Sequence, residues 1–336
     1  MTSVCIVGAG ATGLLLLLLL QEAGVDMSTV TIIDPHFDGG DLARRWTSVI
    51  SNTPWSKAVN SLKAACPSLT IPDIHPLENT TPLIEIAHLL RSLASPSLKK
   101  SRQIQGQAVK ANYNSANKIW TTTVQVNGLL QTVETQHLIL TIGSEPKSLD
   151  LPIPSIPLEV ALDSSRLKNY VKKGDKVIVF GTMHSGTLVI QNLVALETEV
   201  TAYYKADKPF YWARDGTYDG IKADAADIAD SIVAGKIKVS LVSTADTSKV
   251  IRTSHEAQWV VYAMGFYQRT IQISVDDNDC PSTEYDGQTG RLLKAPAWGF
   301  GIAYPNRAPD GINWDVSVAS FLEHMKPRII DIIKGN

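Results

Sequence analysis

The feature that most constrains this chain is a glycine turn near its start. Val4-Cys5-Ile6-Val7 is a short apolar run with strand character, and Gly8-Ala9-Gly10-Ala11-Thr12-Gly13 follows it directly. In such a turn the first glycine allows the tight exit from the strand. The second lets a diphosphate approach the backbone, and the third lets the next helix pack on the strand. The helix that begins around Ala11 and Thr12 presents free N–H groups and a positive dipole end at the same point. It reads as continuing to Ala23, with Gly24 as its stop. A second β-rich run, Val30-Thr31-Ile32-Ile33, ends in Asp34 and Pro35. A carboxylate at that strand end can accept hydrogen bonds from ribose hydroxyls. The glycines alone would mean little. Strand, turn, helix and acid-terminated strand in this order predict a dinucleotide-binding unit.

The order recurs. Lys176–Phe180 reads as a strand, Gly181-Thr182-Met183-His184-Ser185-Gly186 as the turn, and Glu199–Tyr204 as the strand after the next helix. A chain of 336 residues suits two domains of roughly 150 residues each. Between the two turns, 82–93 reads as a helix, and 104–110, 118–126 and 129–142 read as a β-meander. The proline-rich stretch 151–157 reads as an extended linker. Further on, 219–234 reads as a helix and 237–243 and 258–263 as strands. Residues 314–334 read as a C-terminal helix interrupted at Pro327.

Composition narrows the function. The net charge of −2 gives no electrostatic footprint for nucleic acid or an anionic membrane. Leu14 to Leu20 is an unbroken leucine run, too short to span a bilayer. No Lys or Arg precedes it as in a secretion signal, so it reads as a buried helix. Cys5, Cys66 and Cys280 form no C-x-x-C pair, which disfavours dithiol redox chemistry and fits a reducing, cytoplasmic setting. The seven histidines lack metal-ligand spacing, so no metal is expected. The aromatic residues Phe210, Tyr211, Trp212, Trp298, Phe300, Tyr304 and Trp314 read mainly as core.

Further motifs carry a family resemblance. Gln136 to Pro146 includes Leu140-Thr141-Ile142-Gly143, which resembles the strand of two-dinucleotide flavoproteins that crosses back beneath FAD. Trp259 to Phe266 resembles the segment that returns the chain from their NAD(P) domain. Gly299-Phe300-Gly301-Ile302-Ala303 resembles their C-terminal FAD-contacting segment. After Asp34, the run from Gly39-Gly40 through Trp46 to Val49-Ile50-Ser51-Asn52 resembles the flavin-containing (class B) monooxygenases.

The resemblance implies an α/β protein with two Rossmann-type dinucleotide-binding domains, the second inserted in the first, with a β-meander in the FAD domain. The FAD domain would comprise 1–150 and 268–336, and the NAD(P)-binding-like domain 151–267. FAD would contact Gly8, Gly10, Ala11, Thr12, Gly13, Asp34, Pro35, Gly40, Trp46, Thr141, Gly143 and Gly301. The second site would use Gly181, His184, Ser185 and Gly186. Asn52 would be the active-site amide, able to donate a hydrogen bond without losing a proton. NADPH or NADH would reduce the flavin, which with oxygen would oxygenate a small soft nucleophile such as an amine or thioether.

Two departures bear on nicotinamide use. The monooxygenase fingerprint F-x-G-x-x-x-H is missing from 152–170, and Met183 stands where the middle glycine of the second turn belongs. They keep two rivals open: an FAD enzyme that oxidises an organic substrate directly, and a non-enzymatic binding or scaffold protein. The reading also leaves a homodimer open.

Overall fold

The computed structural model describes residues 3–210, 213–214, 217–218, 224–307 and 314–334. The chain divides by its contacts into two units. The first comprises Met1–Thr47, Pro54–Ser144 and Gln268–Asn336, and the second comprises Ser48–Thr53 and Glu145–Tyr267.

The first unit opens with β1 (Val4–Val7), α1 (Ala11–Glu22) and β2 (Val30–Asp34). Helices α2 (Trp55–Ala65) and α3 (Leu83–Lys100) follow. Next come β3 (Arg102–Gln105), β4 (Gln107–Asn114), β5 (Ile119–Val126), β6 (Leu129–Thr135) and β7 (His137–Leu140). β7 pairs in parallel with β1, which pairs with β2, which pairs with β3. Every residue of β1 and β2 is buried, as expected of central parallel strands covered on both faces. The leucine run of α1 is apolar all round and enclosed all round. Leu14 to Leu20 are at most 3% exposed, in one core with α2 and α3 residues such as Leu62 and Leu90.

Two stretches that read as single strands change sheets. The run 104–110 divides at Gly106 into β3, the edge of the parallel sheet, and β4, part of the meander. Only glycine fits there, since a Cβ on Gly106 would come within 2.6 Å of the Gln125 carbonyl oxygen. The run 129–142 divides at Gln136, where the N–H groups of Gln136 and His137 both donate to the Ser3 carbonyl. α3 extends past the expected end at Leu93 and carries Pro96 inside it.

The second unit holds β8 (Lys176–Phe180), α4 (His184–Ala195), β9 (Glu199–Tyr204), α5 (Asp224–Val233), β10 (Ser240–Ser243), α6 (Thr247–Glu256) and β11 (Trp259–Tyr262). Its parallel sheet has the order β10-β9-β8-β11. The proline-rich stretch is no free linker. Ile156 N–H donates to the Val260 carbonyl, and Val260 N–H donates to the Pro154 carbonyl.

The chain re-enters the first unit and adds β12 (Gln272–Val275), which pairs in parallel with β4. β13 (Asn278–Cys280) then joins β12, and β14 (Trp298–Gly299) joins β7. The expected helix over 314–334 begins only at α7 (Val318–Met325), where Ser317 and Ser320 form a reciprocal cap. A 3₁₀ turn containing Pro327 separates it from α8 (Ile329–Lys334). Tyr211 and Trp212 lie outside the described residues, while Phe210, Trp298, Phe300 and Tyr304 are core.

α7 carries a buried histidine. His324 is 3% exposed and packs edge-on against Phe300, with ring centroids 5.2 Å apart. Burial, helped by the Arg328 charge, lowers its pKa from 6.5 to about 4. The unfolded chain therefore takes up this proton near pH 6.5, and the folded chain only near 4. The stabilisation is complete above pH 6.5 and is lost as the pH falls toward 4, about 3 kcal/mol in all. Denaturant titrations between pH 7 and 4 should show this slope, and His324→Leu should flatten it. An unchanged slope in that variant refutes the assignment.

Candidate FAD site

The turn after β1 is fixed from two sides. Gly8 N–H donates to the Ile33 carbonyl (2.8 Å) and Thr141 N–H to the Val7 carbonyl (2.9 Å). The Thr141 hydroxyl donates to the Gly8 carbonyl at 2.8 Å. Gly8 has φ +106°, and a Cβ on it would stand 2.4 Å from the Thr141 carbonyl oxygen. A Cβ on Gly13 would stand 2.0 Å from the Gly8 carbonyl oxygen. The protein itself therefore demands both glycines.

Gly10 is different. It caps α1 with φ −72° and ψ −172°, a conformation open to any residue. The nearest atom to a Cβ there would be the Gly40 Cα at 3.8 Å, an ordinary contact. No described atom of the chain excludes a Cβ at Gly10, so the glycine leaves room for something else. The helix N-terminus, with Ala11 and Thr12 in its first turn and no side-chain cap on its N–H groups, suits a diphosphate at that point. The site fits the FAD expected of it.

Asp34 does more than end β2. It is buried, and its Oδ2 accepts the Ala9 N–H at 2.8 Å. Its Oδ1 accepts the N–H groups of His36 (2.8 Å) and Phe37 (2.9 Å). The carboxylate thus joins the glycine turn to the chain leaving β2. Pro35 is exposed beside it, and its carbonyl accepts from Gln105 Nε2. A cavity of about 760 Å³ starts at Pro35. Its walls include Gln103, Gln105, Gln107, Gln125 and Gln131, whose amides can each donate and accept. Sequence reading missed this wall, because those glutamines lie on four different strands or loops.

Gly39 and Gly40 have φ +105° and +73° and lie directly against the turn. Gly10 and Gly39 form an isolated bridge, and a Cβ on Gly40 would be 2.7 Å from Gly10 Cα. Gly143 has φ +74°. Gly301 has φ +85° and meets Thr12, whose hydroxyl would be 2.3 Å from an added Cβ. Gly8, Gly10, Thr12, Gly13, Asp34, Gly40, Thr141 and Gly301 are therefore assembled around one turn. Trp46 lies further along, half-buried, with the Arg45 guanidinium 5.0 Å from its ring centre. Asn52 is exposed and falls within Ser48–Thr53, the stretch that groups with the second unit. Its neighbour Ser51 donates to the Thr53 carbonyl.

The second turn repeats the first. Gly181 also has φ +106°, and a Cβ on it would be 2.2 Å from the Ala263 carbonyl oxygen. A Cβ on Gly186 would be 2.0 Å from the Gly181 carbonyl oxygen. Met183 caps α4 at φ −80° and ψ −170°, close to the backbone conformation of Gly10. His184 follows, its Nδ1 buried without a partner. Burial lowers its pKa, while the Asp224 carboxylate pulls the other way. Ser185 is half-buried in the first turn of α4.

Two of the three thiols are poor nucleophiles. Burial pushes the pKa of Cys5 up to about 12 and that of Cys66 to about 11, and all three cysteines are free. Among the described residues, no three potential ligands cluster as a metal site, and no helix is long and apolar enough to cross a membrane.

Two glycine turns of one geometry, each on its own parallel sheet, define the two-dinucleotide-binding flavoprotein fold. Comparison with known proteins agrees. A family model described as an FAD binding domain matches residues 1–44. Monooxygenase AgnR1 of Paecilomyces divaricatus is 27% identical, over 96% of this chain and 94% of its own length. Among solved structures, bacillithiol disulfide reductase Bdr of Bacillus cereus superposes with a TM-score of 0.68 at 12% identity, covering 100% of this chain and 99% of that one. OTEMO, solved in complex with FAD and NADP, gives 0.63 at 16% identity, covering 99% of this chain and 85% of that one. At such identities the structures speak for the fold alone. The FAD-domain match falls on the first turn, and the monooxygenase relative spans both units.

Proposed function

We propose that the protein is a cytoplasmic, FAD-dependent monooxygenase or oxidase acting on a small soft nucleophile, with NAD(P)H as a weakly held reductant. The carrying observation is Gly10, a glycine that the surrounding chain does not require and a diphosphate does. Bound FAD supplies the electron transfer. The protein's part is to hold it. The α1 N-terminus takes the diphosphate, Asp34 keeps the turn in shape and has acceptor capacity left for a ribose hydroxyl, and the glutamine-walled cavity suits the edge of a base. Asn52 is the amide that donates to the reacting oxygen or to the nicotinamide.

A second reading rests on Met183. If its side chain closes the second turn, the flavin takes electrons from an organic substrate directly. Anaerobic spectra separate the two. Bleaching of the flavin by NADPH or NADH supports the first reading, and bleaching by an amine or thioether substrate alone supports the second. A flavin that neither reduces defeats both.

Asn52→Ala should retain FAD and fold but lower turnover, or raise peroxide release, by about 10²-fold, the scale of one lost preorganised donor. Turnover and peroxide release both within twofold of wild type would remove Asn52 from the chemistry.

A further inference from the structure

One charged pair near the first turn has no part in the reading above. Arg269 Nη2 lies 2.8 Å from Asp41 Oδ2, with the side chains 31% and 17% exposed. Arg269 Nη1 donates to the Ile142 carbonyl at 3.3 Å, and its backbone N–H donates to the Gly143 carbonyl at 3.1 Å. A Cβ on Gly143 would be 2.9 Å from Arg269 Nη1 and 3.7 Å from Asp41 Oδ2. Three distant stretches of chain thus meet at one guanidinium: the residue after Gly39-Gly40, the turn after β7, and the second residue after the chain re-enters the first unit.

The location matters because Asp41 directly follows Gly40, and Gly40 is pressed against Gly10. The backbone of Asp41 is also fixed, its carbonyl accepting the N–H groups of Arg45 (2.8 Å) and Trp46 (3.0 Å). A carboxylate is therefore held one residue from the loop that borders the diphosphate turn. A carboxylate and a diphosphate carry like charge, and like charges repel more strongly in a partly desolvated site than in water. A guanidinium joined to that carboxylate cancels its charge, and its second hydrogen bond ties the bordering loop to the turn after β7.

We infer that Arg269 is a positioning residue for FAD: anchored on the Ile142 and Gly143 carbonyls, its guanidinium neutralises Asp41 beside the diphosphate turn. This rests on FAD occupying the first unit. The pair acts through charge, so the carboxylate left behind, more than the missing arginine, is what weakens FAD binding.

The test is titration of the full-length apoprotein with FAD, read by flavin fluorescence, at low and high salt. Arg269→Ala should raise the dissociation constant by roughly tenfold at low salt and by less at high salt, where the unpaired carboxylate is screened. Adding Asp41→Asn to Arg269→Ala should return it to within threefold of wild type. Arg269→Lys, which keeps the charge, should stay within threefold. If Arg269→Ala does not fold, Arg269→Gln with and without Asp41→Asn gives the same comparison. Wild-type affinity in the alanine or glutamine variant overturns the inference. So does a double variant as weak as the single one, since the pair would then serve only as a brace. Wild-type protein that takes up no FAD would instead defeat the reading of the first unit, and this inference with it.

Discussion

Gly10→Val is expected to fold normally and to purify without flavin. The backbone at Gly10 is already extended, so valine adopts it without strain. An added Cβ meets the chain no closer than 3.8 Å, so the melting temperature of the apoprotein should stay close to that of wild-type apoprotein. The branched side chain would occupy the approach of the diphosphate, and losing several charge-assisted hydrogen bonds of about 1.5–3 kcal/mol each would weaken FAD by more than 10³-fold. Gly8→Ala and Gly13→Ala provide the contrast. Their Cβ atoms would strike backbone oxygens at 2.4 and 2.0 Å, so both should destabilise the fold itself. Flavin content from the absorption spectrum, beside apoprotein melting curves, separates the two kinds of glycine. A well-folded Gly10→Val protein with full flavin would show that FAD does not lie on this turn.

The second large effect is expected at Met183. Its backbone conformation nearly repeats that of Gly10, so its side chain starts from the equivalent point and stands where a second diphosphate would approach. Methionine is flexible, but wherever it swings it displaces contact or loses its own packing. Binding of NADP⁺ and NAD⁺ to the oxidised wild-type protein should therefore be millimolar. Met183→Gly should tighten one of them toward the micromolar range, a change of up to about 10³-fold, or 4 kcal/mol. Calorimetric titration of both proteins with both nucleotides measures it. Low-micromolar binding by wild type would refute the obstruction and favour full nicotinamide use. A partly buried His184 with a lowered pKa adds little charge attraction for the phosphates.

Much of this protein was legible in its residues. Gly8, Gly10, Gly13 and Asp34, and again Gly181 and Gly186, announce their turns because a strand-to-helix turn that admits a diphosphate restricts residue type at fixed local spacing. The leucine run 14–20 declares a helix with no solvent face. The structure decided what local spacing does not encode. Gly106 interrupts 104–110 without saying where the chain goes next, and 129–142 has uniform β character, so nothing local says that each passes from one sheet to another; contacts at Gly106 and at the Ser3 carbonyl settle that. α3 keeps its course through Pro96 because tertiary packing outweighs one lost backbone donor.

The chain at Asp34 shows the same division within one residue. The sequence marks it as the acid that ends the second strand. Only the fold reveals that its carboxylate is occupied by the N–H groups of Ala9, His36 and Phe37. Asp41 and Arg269 carry no local mark at all. Their pairing arises because the chain leaves the first unit after Ser144 and returns at Gln268, which brings residues from opposite parts of the sequence to one turn. The sequence alone determined where dinucleotide turns can form, since that depends on backbone freedom over a few neighbouring residues. The tertiary structure decided which glycines serve the fold and which serve a ligand, since that depends on what lies across the gap.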